Sequence, residues 1–254
     1  MHKTYAGNIP ACLAIALVID LPPKEVSAEV WQRLETEIRV KHQGHVCAGV
    51  TGGSFLLKAL LENNRNDLIY EMATKETYPG WADMLRRGET TFCEDWECRS
   101  SCLHSSYLYI GSWFIEGIGG IRFSPDGGFK HFILEPWIDS GTGLHDVSAH
   151  YDSPYGRIAA HWSDGKGLRL CVSVPPNTSA DLRLHEITAQ DLQESGHPID
   201  HAPGVTVGSN GAGITDLRLE PGDYDFHAAK PARTDRAASL SSQSRSPETK
   251  LAGP

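Results

Sequence analysis

The sequence predicts an α+β chain built from two unlike parts. Three observations predict it. Apolar residues recur at helical spacing through residues 1–122. The period changes to two over residues 123–228. The last stretch, 229–254, has few large apolar residues.

The helical reading rests on named segments. "ACLAIALVI", residues 11–19, is an apolar run too short to span a membrane, which takes about 20 residues. Pro10 and Asp20 flank it and no small-residue cleavage pattern follows, so a buried helix is expected rather than a signal peptide. "KEVSAEVWQRLETEIRV" sets Val26, Val30, Leu34 and Ile38 on one stripe, with Ser27 as a candidate cap. "GGSFLLKALLENN" groups Phe55, Leu56, Leu60 and Leu61 and ends at Asn63 and Asn64, residues that stop helices. "NDLIYEMATKE" follows, with Asp67 as a candidate N-cap. "HSSYLYIGSWFIEGIGGI" is apolar nearly all round and is expected to be buried. Its glycines fit a place where backbones or a ligand approach closely.

The strand reading starts at "RFSPDGGFK", where "DGG" marks a turn. "GLRLCVSV" alternates Leu168, Leu170, Val172 and Val174 with polar partners, and "SADLRLHEI" alternates Ala180, Leu182 and Leu184. "VSAHYDSPYGRIAAHW" reads as two strands about the turn "DSPYG". Such strands, cut by Pro, Gly and Asn turns, predict a small antiparallel β-sandwich. The tail from 229 cannot bury enough surface to offset its ordering entropy and is expected to be disordered.

The 254 residues carry 40% hydrophobic and 22% charged residues and a net charge of -9, with the basic residues scattered. That balance argues against a nucleic-acid surface. Six cysteines are too few for a disulfide scaffold and do not fix the compartment.

The densest chemistry lies in "GETTFCEDWECRSSCLHSSYLYIG", residues 88–111. Cys93, Cys98, Cys102 and His104 form a C-x4-C-x3-C-x-H pattern. It lacks the paired two-residue gaps of zinc knuckles, so no metal is expected and the cysteines read as small buried hydrophobes. A second reading takes Glu94 as an acid or base in a sugar cleft, with Trp96 nearby as a stacking face. Against it stands a plain solvated acidic loop. "GHVCAGVTGG" lacks the Gly-Lys-Ser/Thr ending of a phosphate loop, and no G-x-S-x-G elbow occurs. A Cys102–His104 pair has nothing to orient it.

Flanking motifs in series add weight to the sugar reading. "YPGWADMLRRGETTFCEDW" resembles the "PSWGYM…GATT-x-WE-x-W" segment of α-L-rhamnosidases of glycoside hydrolase family 78. "GHVCAGVTGGSFLLKAL" is similar to that family's "HL-x-TG-x-x-GT-x-x-LL-x-x-L" helix, and "LHSSYLYIGSWFIEGIGGI" to its "NHY-x-x-GSVGEW" stretch. "GFKHFILEP" and "VSAHYDSPYGRIAAHW" with "VSVPPNTSADLRL" look like its C-terminal β-domain. The likeness runs in order over residues 8–186.

The resemblance implies the end of an (α/α)6 six-hairpin barrel over 1–122 and a C-terminal β-sandwich over 123–228. It implies hydrolysis of terminal α-L-rhamnosyl bonds with inversion, on rhamnose-containing oligosaccharides, polysaccharides or glycosides, with no organic cofactor. Glu94 falls on the family's general base, His104 on its active-site histidine and Trp81 on a tryptophan of the sugar pocket; Trp96 belongs to the same segment. Departures occur at Cys93, where the family has Trp, at Glu89, where it has Ala, and at Leu103, where it has Asn. The family's "DCPQRDERLGW"-type stretch with the general acid has no counterpart here. The chain is therefore expected to be the C-terminal part of such an enzyme and to act poorly alone. A non-catalytic carbohydrate-binding remnant is the alternative.

Overall fold

The computed structural model describes residues 5–139, 141–211 and 213–229. Masses of helix and sheet follow one another as the two sequence periods require. The tail expected to be disordered lies outside the described residues, apart from position 229.

The helices are α1 (Pro10–Val18), α2 (Lys24–Thr36), α3 (Val50–Glu62), α4 (Asn66–Ala73), α5 (Trp81–Arg86) and α6 (Ile110–Ser112). π-helical turns extend α2 through Glu37–Lys41 and α6 through Trp113–Ile118. Their core gathers Leu13, Val30, Leu34, Ile38, Leu56, Leu60, Leu68, Ile69 and Trp113. The α2 stripe buries Val30, Leu34 and Ile38, while Val26 is half-buried.

Two expected caps fall elsewhere. Ser27 does not cap α2, because the helix already starts at Lys24. The Pro23 carbonyl accepts the first bonds, from Val26 N–H at 2.9 Å and Ser27 N–H at 3.1 Å. Asp67 lies inside the first turn of α4 behind Arg65. There its carboxylate meets Arg39 at 2.6 Å and Arg65 at 3.0 Å. Burial pushes the Asp67 carboxyl up, but the two guanidinium groups outweigh it and hold it below its usual range. Asn64 does stop α3, taking φ +53°.

Gly53 explains part of the glycine-rich entry to α3. A Cβ there would sit 2.0 Å from the Tyr109 hydroxyl, so the helix can approach that ring only without one.

The α6 segment is not buried all round. Ile110 and Trp113 face the core, whereas Leu108 and Phe114 are about half exposed and Leu103 is 81% exposed. A short helix with one turn of neighbours covers only one face. Ile9, Ile19, Leu21, Val40 and Leu85 are further exposed apolar side chains on the helical part.

The strands are β1 (Ile121–Ser124), β2 (Gly128–Leu134), β3 (Asp146–Ser153), β4 (Gly156–Ser163), β5 (Leu168–Val174), β6 (Ser179–His185), β7 (Leu192–Glu194), β8 (His197–Pro198), β9 (Val205–Gly211), β10 (Ile214–Leu219) and β11 (Gly222–Ala228). A five-stranded sheet runs β1-β2-β6-β10-β9 and a six-stranded sheet β3-β4-β5-β11-β7-β8. The pairings are antiparallel except β2 with β6, where His131 registers with Ser179. Alternation works as read: Leu168, Leu170, Val172 and Val174 from one sheet meet Ala180, Leu182 and Leu184 from the other around Trp162, Phe132 and Phe226.

One buried carboxylate ties the two parts together. Glu135 is 5% exposed. Its Oε1 accepts Asn64 Nδ2 from the end of α3 at 2.7 Å and meets His185 Nε2 at 2.7 Å. Its Oε2 accepts Arg122 Nη1 at 3.2 Å, and Arg183 lies 3.9 Å away. Beside it Trp137 packs on Tyr70, whose hydroxyl donates to the Thr142 carbonyl at 2.6 Å. Gly120, at φ +74°, makes the turn from helix to β1 against the Glu135–Pro136 backbone. Burial pushes the Glu135 carboxyl up, yet His185, Arg122 and Arg183 together hold it below its usual range.

A depressed carboxylate contributes stability above its unfolded pKa, near about 4.3, and loses that contribution as pH falls through the folded value. Urea melts at stepped pH should therefore show stability declining below about pH 4.3. Glu135→Ala should cost about 3–5 kcal/mol near neutrality and flatten that acid limb. Separately, replacing Leu103, Leu108 and Phe114 with serine should lower the fluorescence of an apolar-surface dye with the protein while leaving the melting temperature within a few degrees.

Candidate active site

The segment after α5 folds back on itself rather than continuing as helix. Gly88 turns the chain at φ +90°. Residues 91–94 and 101–104 then run side by side. Glu94 N–H donates to the Ser101 carbonyl at 2.8 Å, and His104 N–H donates to the Phe92 carbonyl at 2.8 Å. The Thr91 hydroxyl donates to the Cys102 carbonyl. Glu94 and His104 thus belong to facing edges of one hairpin-like loop, and both are exposed.

The tip of the loop is set by Asp95. Its carboxylate accepts the backbone N–H of Arg99 and of Ser100, each at 3.2 Å, and its carbonyl accepts Cys98 N–H at 3.1 Å. The Ser100 side chain and these backbone donors hold the Asp95 carboxyl below its usual value. Cys98 takes φ +54° at this turn.

Aromatic packing anchors the loop to the helices. Trp96 stacks on Tyr107 with ring centroids 3.7 Å apart and meets Trp81 edge-on at 5.2 Å. Both indole N–H groups are spent on backbone. Trp96 Nε1 donates to Ala48 O at 3.2 Å and Trp81 Nε1 to Tyr107 O at 3.1 Å. Arg87 closes the joint from α5, donating to the Trp96 carbonyl at 2.6 Å and the Glu97 carbonyl at 3.0 Å. Burial pushes the Tyr107 phenol up to about 12, helped by Asp95 and Glu97, so it stays protonated.

The four residues singled out in the sequence therefore divide into two pairs. Glu94 and His104 present polar groups at the surface of the loop. Trp81 and Trp96 are each 8% exposed and sit in the cluster that holds it. Their rings are packed against one another and against Tyr107 and Tyr109 rather than open to solvent. His104 Nδ1 accepts the Ser106 backbone N–H at 3.1 Å and pairs with the Ser106 hydroxyl. A backbone N–H can only donate, so a neutral ring carries its proton on Nε2 and presents a donor there. Tyr107 was missed in the sequence, although "YLY" alternates aromatics at the spacing of a strand-like turn.

The cysteines depart from the small-hydrophobe reading. Cys93, fully buried, is bonded to Cys98 in a disulfide, and Cys102 is free and exposed. Glu89, Cys93 and Cys102 bring ligand-type atoms within 4.8 Å of one another. With its sulfur in the disulfide, Cys93 is not available as a thiolate ligand.

Comparison with known proteins follows the same division. Residues 2–118 match the bacterial alpha-L-rhamnosidase 6 hairpin glycosidase domain, and residues 120–197 match the bacterial alpha-L-rhamnosidase C-terminal domain. The chain belongs to the bacterial alpha-L-rhamnosidase family. An alpha-L-rhamnosidase of Formosa agariphila is 29% identical over 226 residues, covering 84% of this chain and 24% of the relative. One from an Alteromonas species is 32% identical over 208 residues, covering 76% of this chain and 22% of the relative. This rhamnosidase-family chain thus spans less than a quarter of the length of either of these curated relatives. Among solved structures, Streptomyces avermitilis alpha-L-rhamnosidase complexed with L-rhamnose superposes with TM-score 0.78 at 22% identity, over 88% of this chain and 22% of that one. The alpha-L-rhamnosidase from Dictyoglumus thermophilum gives 0.76 at 21% identity, over 87% of this chain and 25% of that one. At these identities the likeness is one of fold: the helices are part of a six-hairpin barrel and the sheets a β-sandwich beside it. Among the described residues, no helix is long and apolar enough to cross a membrane.

The packing assigns Trp96 a clear energetic role. Trp96→Ala should cost about 3–5 kcal/mol in urea unfolding. It should also raise the hydrogen-exchange rate of the Glu94 and His104 amides, whose partners lie across the loop.

Proposed function

We propose that this chain supplies the general-base side of an α-L-rhamnosidase active site, acting on terminal α-L-rhamnosyl bonds of oligosaccharides, polysaccharides or glycosides. The observation that carries the reading is the pair of rhamnosidase domain matches in series, with Glu94 exposed in the loop between the last barrel helices. On this reading residues 1–122 are the end of the barrel and 123–228 the C-terminal sandwich.

The chemistry asked of each residue is specific. Glu94 takes a proton from water, which attacks the anomeric carbon from the face opposite the aglycone. A second carboxylic acid protonates the leaving oxygen. Inversion needs the two carboxyl groups roughly 6.5–9.5 Å apart, to leave room for that water. His104 donates from Nε2 to a sugar hydroxyl and orients the ring. Trp81 and Trp96 act by holding the loop against the helices beneath the sugar. On this reading the general acid comes from the barrel segment whose "DCPQRDERLGW"-type motif has no counterpart in this chain.

The purified chain is expected to cleave an aryl α-L-rhamnoside about 10²- to 10⁴-fold more slowly than a complete enzyme, the usual effect of one missing proton-transfer group. Glu94→Gln should abolish what remains, and NMR should show the β anomer released first. Turnover unchanged in Glu94→Gln would remove Glu94 from the chemistry. Calorimetric binding of L-rhamnose with no turnover in any form would favour the carbohydrate-binding alternative.

A further inference from the structure

The hydrolytic reading leaves three cysteines within one loop unexplained. Cys93 and Cys98 share a disulfide, and the free Cys102 returns beside them on the opposite edge. The Cys102 and Cys93 sulfurs lie within 4.8 Å of one another. The Cys102 thiol is held over the tip of the loop by weak contacts to the Cys98 carbonyl at 3.9 Å and the Ser100 carbonyl at 4.0 Å. Cys93 itself has no exposed surface, so a bulky external thiol is shielded from its sulfur while Cys102 is already alongside. Two other free thiols are poorer nucleophiles: burial pushes Cys47 up to about 12 and also raises Cys171.

We propose that Cys93, Cys98 and Cys102 form a thiol–disulfide exchange centre that holds the Glu94 loop in one of two covalent registers. The Cys102 thiolate attacks Cys93 Sγ. The Cys93–Cys98 bond breaks, the Cys93–Cys102 bond forms, and Cys98 leaves as the thiolate. The proton lost by Cys102 goes to solvent and an equal one returns to Cys98. No oxidant or reductant is consumed, because one disulfide and one thiol stand on each side.

The two registers constrain different parts of the loop. In the first, the disulfide closes the tip around Glu94, Asp95, Trp96 and Glu97. In the second, it staples the edge bearing Cys93 to the edge bearing Cys102, beside the Glu94–Ser101 and Thr91–Cys102 hydrogen bonds. The tip, with its Arg87 contacts to the Trp96 and Glu97 carbonyls, is then free of its cross-link. The thiol left over, the half-buried Cys98 or the exposed Cys102, is also the point at which a small disulfide from solution would enter the cycle.

The test reads sulfur connectivity and so stands or falls apart from hydrolysis. The native chain, prepared without reductant, is incubated at mildly alkaline pH, which favours thiolate attack, for minutes to hours, the time uncatalysed rearrangement takes. Samples are trapped with a maleimide at mildly acidic pH, digested and mapped by mass spectrometry. The expected result is label on Cys102 at the start, with label on Cys98 and a Cys93–Cys102 cross-link growing in until a fixed ratio is reached. Cys102→Ser, which keeps the first register, should show no such drift. Label confined to Cys102 throughout, a Cys98–Cys102 cross-link in place of Cys93–Cys102, or label on all three cysteines at the start would each overturn the proposal.

Discussion

The buried carboxylate of Glu135 is the constraint on which the arrangement of the two parts depends. An ion in that position is stable only if every lone pair is matched. The partners come from three places: Asn64 at the end of α3, Arg122 on β1, and His185 with Arg183 on β6. Satisfying them fixes how the helical end meets the sandwich. The aromatic seam of Tyr70, Trp113 and Trp137 then fills the space beside the charge. Polar matching sets the register of this junction, and apolar area supplies its strength.

A second anchoring scheme operates at the loop of Glu94. The polypeptide there has little regular structure, so its shape is held by side chains. Trp96 stacked on Tyr107, Trp81 edge-on to it, and Arg87 on two successive carbonyls take the place of a hydrogen-bonded ladder. Glu94 and His104 are thereby carried on a rigid underside while their own groups stay in solvent. Position 93 acquires a covalent partner in Cys98, so the loop of this chain is braced by sulfur as well as by aromatic packing.

Much of the fold was legible because periodicity reports burial. Leu168, Leu170, Val172 and Val174 alternate because one sheet face is dry, and Val30, Leu34 and Ile38 recur because one helix face is. The misplacements have equally local causes. Ser27 is an excellent cap residue, but the Pro22–Pro23 pair starts the helix before it is reached. The apolar α6 segment was expected to be enclosed, and only one face is, since composition counts apolar residues without counting neighbours. Cysteine spacing could not distinguish packing from a disulfide, because Cys93 and Cys98 meet only after Asp95 has turned the chain.

The sequence by itself determined the two-part α-then-β order, the strand faces and the run of motifs that marks the rhamnosidase family, since each depends on residues close together in the chain. Tertiary structure alone decided which groups Glu135 gathers, that Trp81 and Trp96 support the loop with buried rings, and that two cysteines are bonded while a third stands beside them. Glu135 meets Asn64 across 71 residues of chain and Trp96 meets Ala48 across 48, separations that no local pattern encodes, while Cys93 and Cys98, five residues apart, meet only because the fold turns the chain between them.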